Sequence, residues 1–205
     1  MKSPTPPEAH FVRWAALAEG AIGVVAGLLA WWLKVPVGEG WRLDMASWAT
    51  GLAATAPLLA TMWLTLRWPL GPFRRLKALV DDSIVPLFRT GRLVDFAVIS
   101  LLAGAGEELL FRGVVERGLA PLVGVWPACL LAAVLFGLCH ALNAGYFMLA
   151  TAIGLYLSWL ERATGNLAVP MMTHALYDFA ALVYLVRLRR PECNADLKLP
   201  PDPPQ

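Results

Sequence analysis

The sequence predicts an all-α fold, a polytopic transmembrane helix bundle of about six spans with one amphipathic surface helix. Of the 205 residues, 58% are hydrophobic and only 16% are charged, whereas soluble domains are about 45–50% apolar and about 25% charged. The mean hydropathy is +0.59. Nine tryptophans are typical of a chain that meets two membrane–water interfaces. The length accommodates about six spans of roughly 20 residues each.

The charge and cysteine content exclude several other classes of protein. The net charge is only +2 and the basic residues lie in short clusters, so a nucleic-acid partner is not expected. Cys129, Cys139 and Cys193 have no Cys-x-x-Cys spacing, which argues against a disulfide framework and a thiolate zinc site. The expected surroundings are a lipid bilayer. Nothing in the sequence indicates an oligomeric state.

The N-terminal part of the chain divides into a tail, two spans and a basic segment. Residues 1–12 are proline-rich and predict a disordered tail. Residues 13–92 predict spans over about 14–33 and 45–66, followed by an amphipathic basic segment. Apolar side chains recur at helical spacing in that segment, which is typical of a helix on a membrane surface. They are Phe73, Leu76, Leu79, Val80 and Ile84.

Residues 93–188 predict the main helix bundle, and residues 189–205 a second disordered, proline-rich tail. The bundle would contain four further spans. They cover about 93–119, 127–142, 146–160 and 167–188.

The distribution of Lys and Arg predicts the orientation. Twelve of the seventeen would share one side of the membrane with the two tails and the segment that follows the second span. Because positive residues favour the cytoplasmic side, we expect both termini to be cytoplasmic.

Charged residues within the predicted spans need a specific reason, since each costs at least about 2.5–3.5 kcal/mol in the bilayer centre. Glu108 and Arg112 are four residues apart, lie on one helix face and can pair. Glu107 is rotated about 100° around the helix axis from Glu108, and no arginine stands three or four residues after it. We expect it to face a cavity, where it is available for chemistry.

Two later spans carry the other polar candidates. Phe136 and His140 lie on one face of the fourth span, and His174 and Asp178 on one face of the sixth. Asn143 could either orient His140 or cap the helix end.

Other polar residues have simpler interpretations. Glu19 could snorkel to the interface or line a cavity. Asp81 and Asp82 would form the solvated face of the basic segment, and Glu161 and Arg162 an interfacial turn.

The ordered motifs resemble the CPBP family of intramembrane proteases, which includes the prenyl-protein (CAAX) endopeptidases. Its pattern is E-E-x-x-x-R, then F-x-x-x-H, then H-x-x-x-(N/D), each on its own transmembrane helix. Glu107, Glu108 and Arg112 match the first motif, and the pairs 136/140 and 174/178 match the others. The resemblance covers about residues 93–188. It implies an intramembrane endopeptidase in a multi-pass protein, for which we expect a bacterial inner (plasma) membrane location.

The resemblance also implies roles for individual residues. Glu107 would activate the attacking water and His140 would help to hold it, while His174 and residue 178 would stabilise the oxyanion. Glu108, Arg112, Phe136 and Asn143 would support them. A carboxylate cannot donate to an oxyanion unless it is protonated, so Asp178 could instead orient His174. The substrate would be a membrane-associated protein or peptide, and no metal or other cofactor is expected.

Three alternatives stay open at this point. Two His and a Glu are also a zinc ligand set, although no H-E-x-x-H motif is present and Arg112 is placed to neutralise Glu108. The same residues could form a proton relay in a transporter. The chain could also be a non-proteolytic scaffold or bacteriocin-immunity membrane protein.

Overall fold

A computed structural model describes the backbone of residues 6–189 and the side chains of residues 11–189. Throughout this range the fold is helical, with no β-strand, as the sequence predicts. Helices α1 to α4 are Pro6–Leu33, Met45–Arg67, Phe73–Leu79 and Val85–Phe88, with a π-helical turn Val80–Ile84 between the last two. Helices α5 to α9 are Leu93–Glu108, Arg117–Val123, Val125–Cys139, Ala144–Thr164 and Ala168–Val183. The π-helical stretch Leu109–Glu116 joins α5 to α6, and Tyr184–Leu188 extends α9.

The first helix starts earlier than the sequence predicts. Helix α1 begins at Pro6, so the boundary of the predicted N-terminal tail at residue 12 is wrong. A proline is tolerated in the first turn because its missing N–H has no intrahelical acceptor there. The rest of that tail, residues 1–5, and the C-terminal tail from residue 190 lie outside the described residues.

Three described helices are long and apolar enough to cross a membrane: Phe11–Leu33, Met45–Arg67 and Ala168–Leu188. Helix α7 is apolar but shorter, at 15 residues. The two other predicted spans correspond to residues 93–123 and to α8, and both carry buried charged side chains. The bundle is that of a membrane protein. The buried charges lower the hydropathy of these two passes, so a hydropathy criterion does not count them as spans.

All nine tryptophans lie on the outside of the bundle, each at least 44% exposed. A soluble protein would bury most of this surface, whereas tryptophan side chains favour the lipid–water boundary. They fall near the helix ends in two groups. One group is Trp14, Trp63 and Trp68, and the other is Trp31, Trp32, Trp41, Trp48, Trp126 and Trp159.

The long helices connect alternately at two ends of the bundle. At one end, which we call the cavity end, the start of α1 meets α4 through Phe11 and Phe88, whose ring centroids are 5.3 Å apart. Arg189, after the last helix, meets Asp81 there. At the opposite end, the Arg42 backbone N–H donates to the Asn166 side chain over 3.2 Å. This alternation is compatible with six passes.

The segment after α2 packs against the bundle and does not merely lie on a membrane surface. Leu76 and Val80 from its apolar face are buried. Asp81 was expected to be solvated, but it forms ion pairs with Lys77 at 3.2 Å and with Arg189 at 2.7 Å. Arg187 donates to the carbonyl oxygen of Gly91. The end of the last helix therefore holds this segment in place, and Arg189 belongs to the bundle, not to the predicted tail.

Helix α5 lies at the centre of the bundle, packed between α1 and α9. Two glycines make this possible. A Cβ at Gly104 would lie 2.7 Å from the Met171 oxygen and from the Ala175 nitrogen on α9. A Cβ at Gly106 would lie 3.0 Å from the Gly23 nitrogen on α1. A Cβ would overlap the α9 backbone at Gly104 and would be tight against the α1 backbone at Gly106, so these two positions determine what surrounds the glutamates that follow.

Candidate active site

The predicted pair of Glu108 and Arg112 forms at the end of α5. Arg112 Nη1 donates to Glu108 Oε1 over 2.8 Å, and both side chains are completely buried. Arg112 Nη2 donates to the carbonyl oxygen of Gly154 on α8 over 2.7 Å. The guanidinium also lies over the Phe136 ring, 4.9 Å from its centroid. Arg112 therefore ties α5, α7 and α8 together.

Glu108 has a second partner that the sequence did not indicate. His174 Nδ1 lies 2.9 Å from the same Oε1 atom that Arg112 contacts. Since the carboxylate accepts from Arg112, the imidazole also donates to it through Nδ1–H. This bond fixes the ring orientation of His174 and directs its Nε2 towards Glu107.

Glu107 faces the other way, into a cavity of about 290 Å³. Its Oε2 lies 3.9 Å from His174 Nε2 and 4.0 Å from His140 Nε2, and it has no hydrogen-bond partner. The predicted difference between the two glutamates is thus present in the geometry. One is held by an ion pair, and the other is available within a cavity.

His140 is oriented by the backbone of its own helix. Its Nδ1 lies 2.8 Å from the Phe136 carbonyl oxygen, and because a carbonyl only accepts, Nδ1 carries the hydrogen. Nε2 is left to face Glu107. The Phe136 ring packs against His140 at 4.5 Å between centroids and edge-on against His174 at 5.9 Å, so it separates and supports the two imidazoles.

Asp178 lies beside His174 on the cavity side. Its Oδ2 is 3.4 Å from His174 Nε2, and the residue lines the same cavity. His174 is therefore placed between two carboxylates, Glu108 at Nδ1 and Asp178 at Nε2. This arrangement favours the expectation that Asp178 orients His174.

The remaining candidates have mixed outcomes. Asn143 caps α8, since its side chain accepts from the Tyr146 backbone N–H over 2.9 Å. Glu19 lines the cavity, which was one of the two interpretations that the sequence allowed.

Tyr146 and Tyr177 also line the cavity, and they were not identified from the sequence. Tyr177 stands three residues after His174, a helical spacing from which it could have been found.

A second group of charges lies away from the cavity. Glu116 and Arg162 pair at 2.8 Å, as do Arg117 and Glu161. Glu161 is only 4% exposed, so the predicted interfacial turn is wrong for this residue. These pairs connect α8 to the stretch between α5 and α7 and serve a structural role.

The site can supply acid–base chemistry to a water molecule. A carboxylate and two oriented imidazole nitrogens converge on one point in a cavity between helices. Among the described side chains, those of residues 11–189, no three from His, Cys, Asp or Glu are arranged to hold a metal ion. The cavity is otherwise lined by apolar side chains, including Leu76, Val80, Ile84 and Phe88, and these belong to the segment at the cavity end.

Part of the chain matches a known protein family. Residues 89–180 match the Rce1-like family, described as type II CAAX prenyl endopeptidase Rce1-like. The match covers a little under half of the chain and agrees with the resemblance drawn from the three motifs.

One curated relative is similar to the chain over a longer stretch. The chain is similar to the uncharacterized protein YpbD of Bacillus subtilis (strain 168), with 35% identity over 122 residues. The similar region covers 55% of this chain and 59% of that relative. No solved structure matches the chain.

Proposed function

We propose that the protein is an intramembrane endopeptidase in which Glu107 activates a water molecule. The observation that carries the proposal is the convergence of Glu107 Oε2 with His140 Nε2 and His174 Nε2, within 4.0 Å, in a cavity between helices. Peptide hydrolysis requires a base for water and donors for the developing oxyanion. These three side chains are the groups in the cavity best placed to supply both.

The reaction would proceed through a tetrahedral intermediate. Glu107 accepts a proton from water while His140 Nε2 holds the water by a hydrogen bond. The oxygen attacks the scissile carbonyl carbon. His174, which as an imidazolium carries a hydrogen on each ring nitrogen, donates from Nε2 to the oxyanion. The C–N bond then breaks as Glu107 passes its proton to the leaving amine. Asp178 keeps the His174 ring in place.

The family match and the cavity support a proposal for the substrate class. A membrane-associated protein or peptide with an apolar anchor would fit a site lined mainly by aliphatic and aromatic side chains. We propose a multi-pass location in a bacterial inner membrane with both termini cytoplasmic. The cavity end would then face the cytoplasm.

Cleavage of a defined probe tests the proposal. Purified full-length protein in lipid bilayers is incubated with a peptide that carries a C-terminal prenylated cysteine motif, and the products are identified by mass spectrometry. We expect cleavage by the wild type, none by Glu107→Gln, and full cleavage by Glu39→Gln, the same substitution at an exposed position. Cleavage that survives Glu107→Gln would refute the role of Glu107. The absence of wild-type cleavage of any membrane peptide would favour a non-proteolytic scaffold or immunity protein.

A further inference from the structure

Glu19 is a carboxyl-bearing residue on α1 that the reaction above does not use. It lines the same cavity as Glu107, His140 and His174. Its Oε2 atom is buried and has no hydrogen-bond partner. An ionisable side chain in a membrane-spanning helix is costly, so its position in this cavity calls for a function.

Close packing of α1 against α5 places Glu19 beside Glu107. A Cβ at Gly106 would lie 3.1 Å from the Glu19 carbonyl oxygen and 3.0 Å from the Gly23 nitrogen, so the two backbones are in contact. Glu107 follows Gly106 directly, and Glu19 lies one turn before Gly23. Glu19 and Glu107 therefore reach the same cavity from two helices whose backbones touch, which makes their carboxyl groups neighbours.

Two neighbouring carboxylates in an apolar cavity repel each other, and a single shared proton removes the repulsion. Glu107 has His140 and His174 within 4.0 Å. In the described part of the chain, no Lys, Arg or His nitrogen lies that close to the Glu19 carboxyl group. The other ionisable groups that line the cavity are Asp178, Tyr146 and Tyr177. Glu108 lies on the far side of His174, bonded to its Nδ1. The negative charge is therefore better placed on Glu107 and the proton on Glu19.

We propose that Glu19 is a positioning residue of the active site. Its neutral carboxyl group donates a hydrogen bond to one oxygen of the Glu107 carboxylate, which leaves the oxygen that faces the two imidazoles free for water. Glu19 keeps its proton throughout turnover, since Glu107 alone exchanges a proton with water and the leaving amine. This inference rests on the proposed function.

Two substitutions that keep the approximate length of the Glu19 side chain distinguish this role from a structural one. Glu19→Gln keeps a neutral donor, so we expect kcat within about threefold of wild type, whereas Glu19→Met lacks the donor and should lower kcat by about tenfold or more at unchanged KM. The assay is cleavage of the prenylated peptide, with melting temperature measured in parallel and Glu39→Gln as the control. A wild-type rate for Glu19→Met would overturn the proposal. So would equal inactivity of both variants, or a loss of folding in both.

Infrared spectroscopy tests the proton without any substrate. The wild type in bilayers at neutral pH should show the C=O stretch of a protonated carboxylic acid, and Glu19→Gln should lose it. An unchanged band in Glu19→Gln, or no such band in the wild type, would contradict the inference. Because this readout does not depend on cleavage, its result stands even if the proposed peptidase activity is refuted.

Discussion

At the scale of single residues, the two adjacent glutamates differ because their neighbours differ. Glu108 shares one oxygen between Arg112 and His174 and is completely buried. Glu107 has no ion-pair partner closer than the two imidazoles, at 3.9 and 4.0 Å. One residue can therefore stabilise the bundle while the other takes part in proton transfer.

The same geometry predicts the response to metal removal. Glu108, next to Glu107, is neutralised by Arg112 at 2.8 Å. Among the side chains of residues 11–189, no three from His, Cys, Asp or Glu are arranged to hold a metal ion. We therefore expect cleavage by the purified protein to survive exhaustive treatment with a strong chelator. The measurement is the cleavage rate before and after chelation. Activity lost on chelation and restored by added zinc would instead support the metalloprotease alternative.

At the scale of elements, the glycines of α5 determine which helices can reach the site. A Cβ at Gly104 would approach the Met171 oxygen and the Ala175 nitrogen of α9 to 2.7 Å. Side-chain atoms can shift to relieve such an overlap, but a helix backbone must move as a whole. The distance between α5 and α9 in turn sets the bond of His174 to Glu108.

Substitution of Gly104 tests this dependence. Gly104→Ala should push α9 away and cost about 1–3 kcal/mol of stability by overpacking, with a lower cleavage rate because His174 is displaced. Gly27→Ala is the matched control, since nothing lies within 4 Å of its added Cβ, and alanine favours the helix by about 0.5–1 kcal/mol. Melting temperature and cleavage are measured for both. A Gly104→Ala variant as stable and active as Gly27→Ala would show that the close approach is not needed.

The helices and the Glu108–Arg112 pair could be predicted from the sequence because both depend on local spacing. Apolar runs of about 20 residues predict long helices, and residues four apart share a face. The bond from Glu108 to His174, by contrast, joins positions 66 residues apart. It depends on how close the helices come, which Gly104 and Gly106 determine. Sequence spacing within one helix contains no information about that distance.

At the scale of the whole molecule, the tryptophan groups and the alternating connections describe a bundle with two distinct ends. The start of α1, the segment around Asp81 and the chain after α9 meet at the cavity end. These are the parts of the chain that carry most of its Lys and Arg residues. The side of the membrane they face decides where substrate would be cut.

The charge distribution predicts that this end faces the cytoplasm. A reporter fused after Gln205 should therefore be active if it works only in the cytoplasm, and silent if it works only outside. A second fusion in the connection between α1 and α2, for example after Gly38, should give the opposite pattern. Activity at Gln205 of a reporter that works only outside the cytoplasm would show that the orientation is the reverse of the predicted one. If both fusion sites gave the same pattern, the number of passes between them could not be odd, as predicted.

The most direct test of the account compares Glu107→Gln with Glu108→Gln in one experiment. Cleavage rate and melting temperature in detergent are measured for both variants and the wild type. Loss of the Glu108 charge leaves Arg112 buried and unpaired, which typically costs about 3–5 kcal/mol, so we expect a lower melting temperature and lower abundance. Glu107→Gln should be as stable as wild type and inactive. Near wild-type cleavage by Glu107→Gln, together with a folded but inactive Glu108→Gln, would show that the base and the structural partner have been assigned the wrong way round.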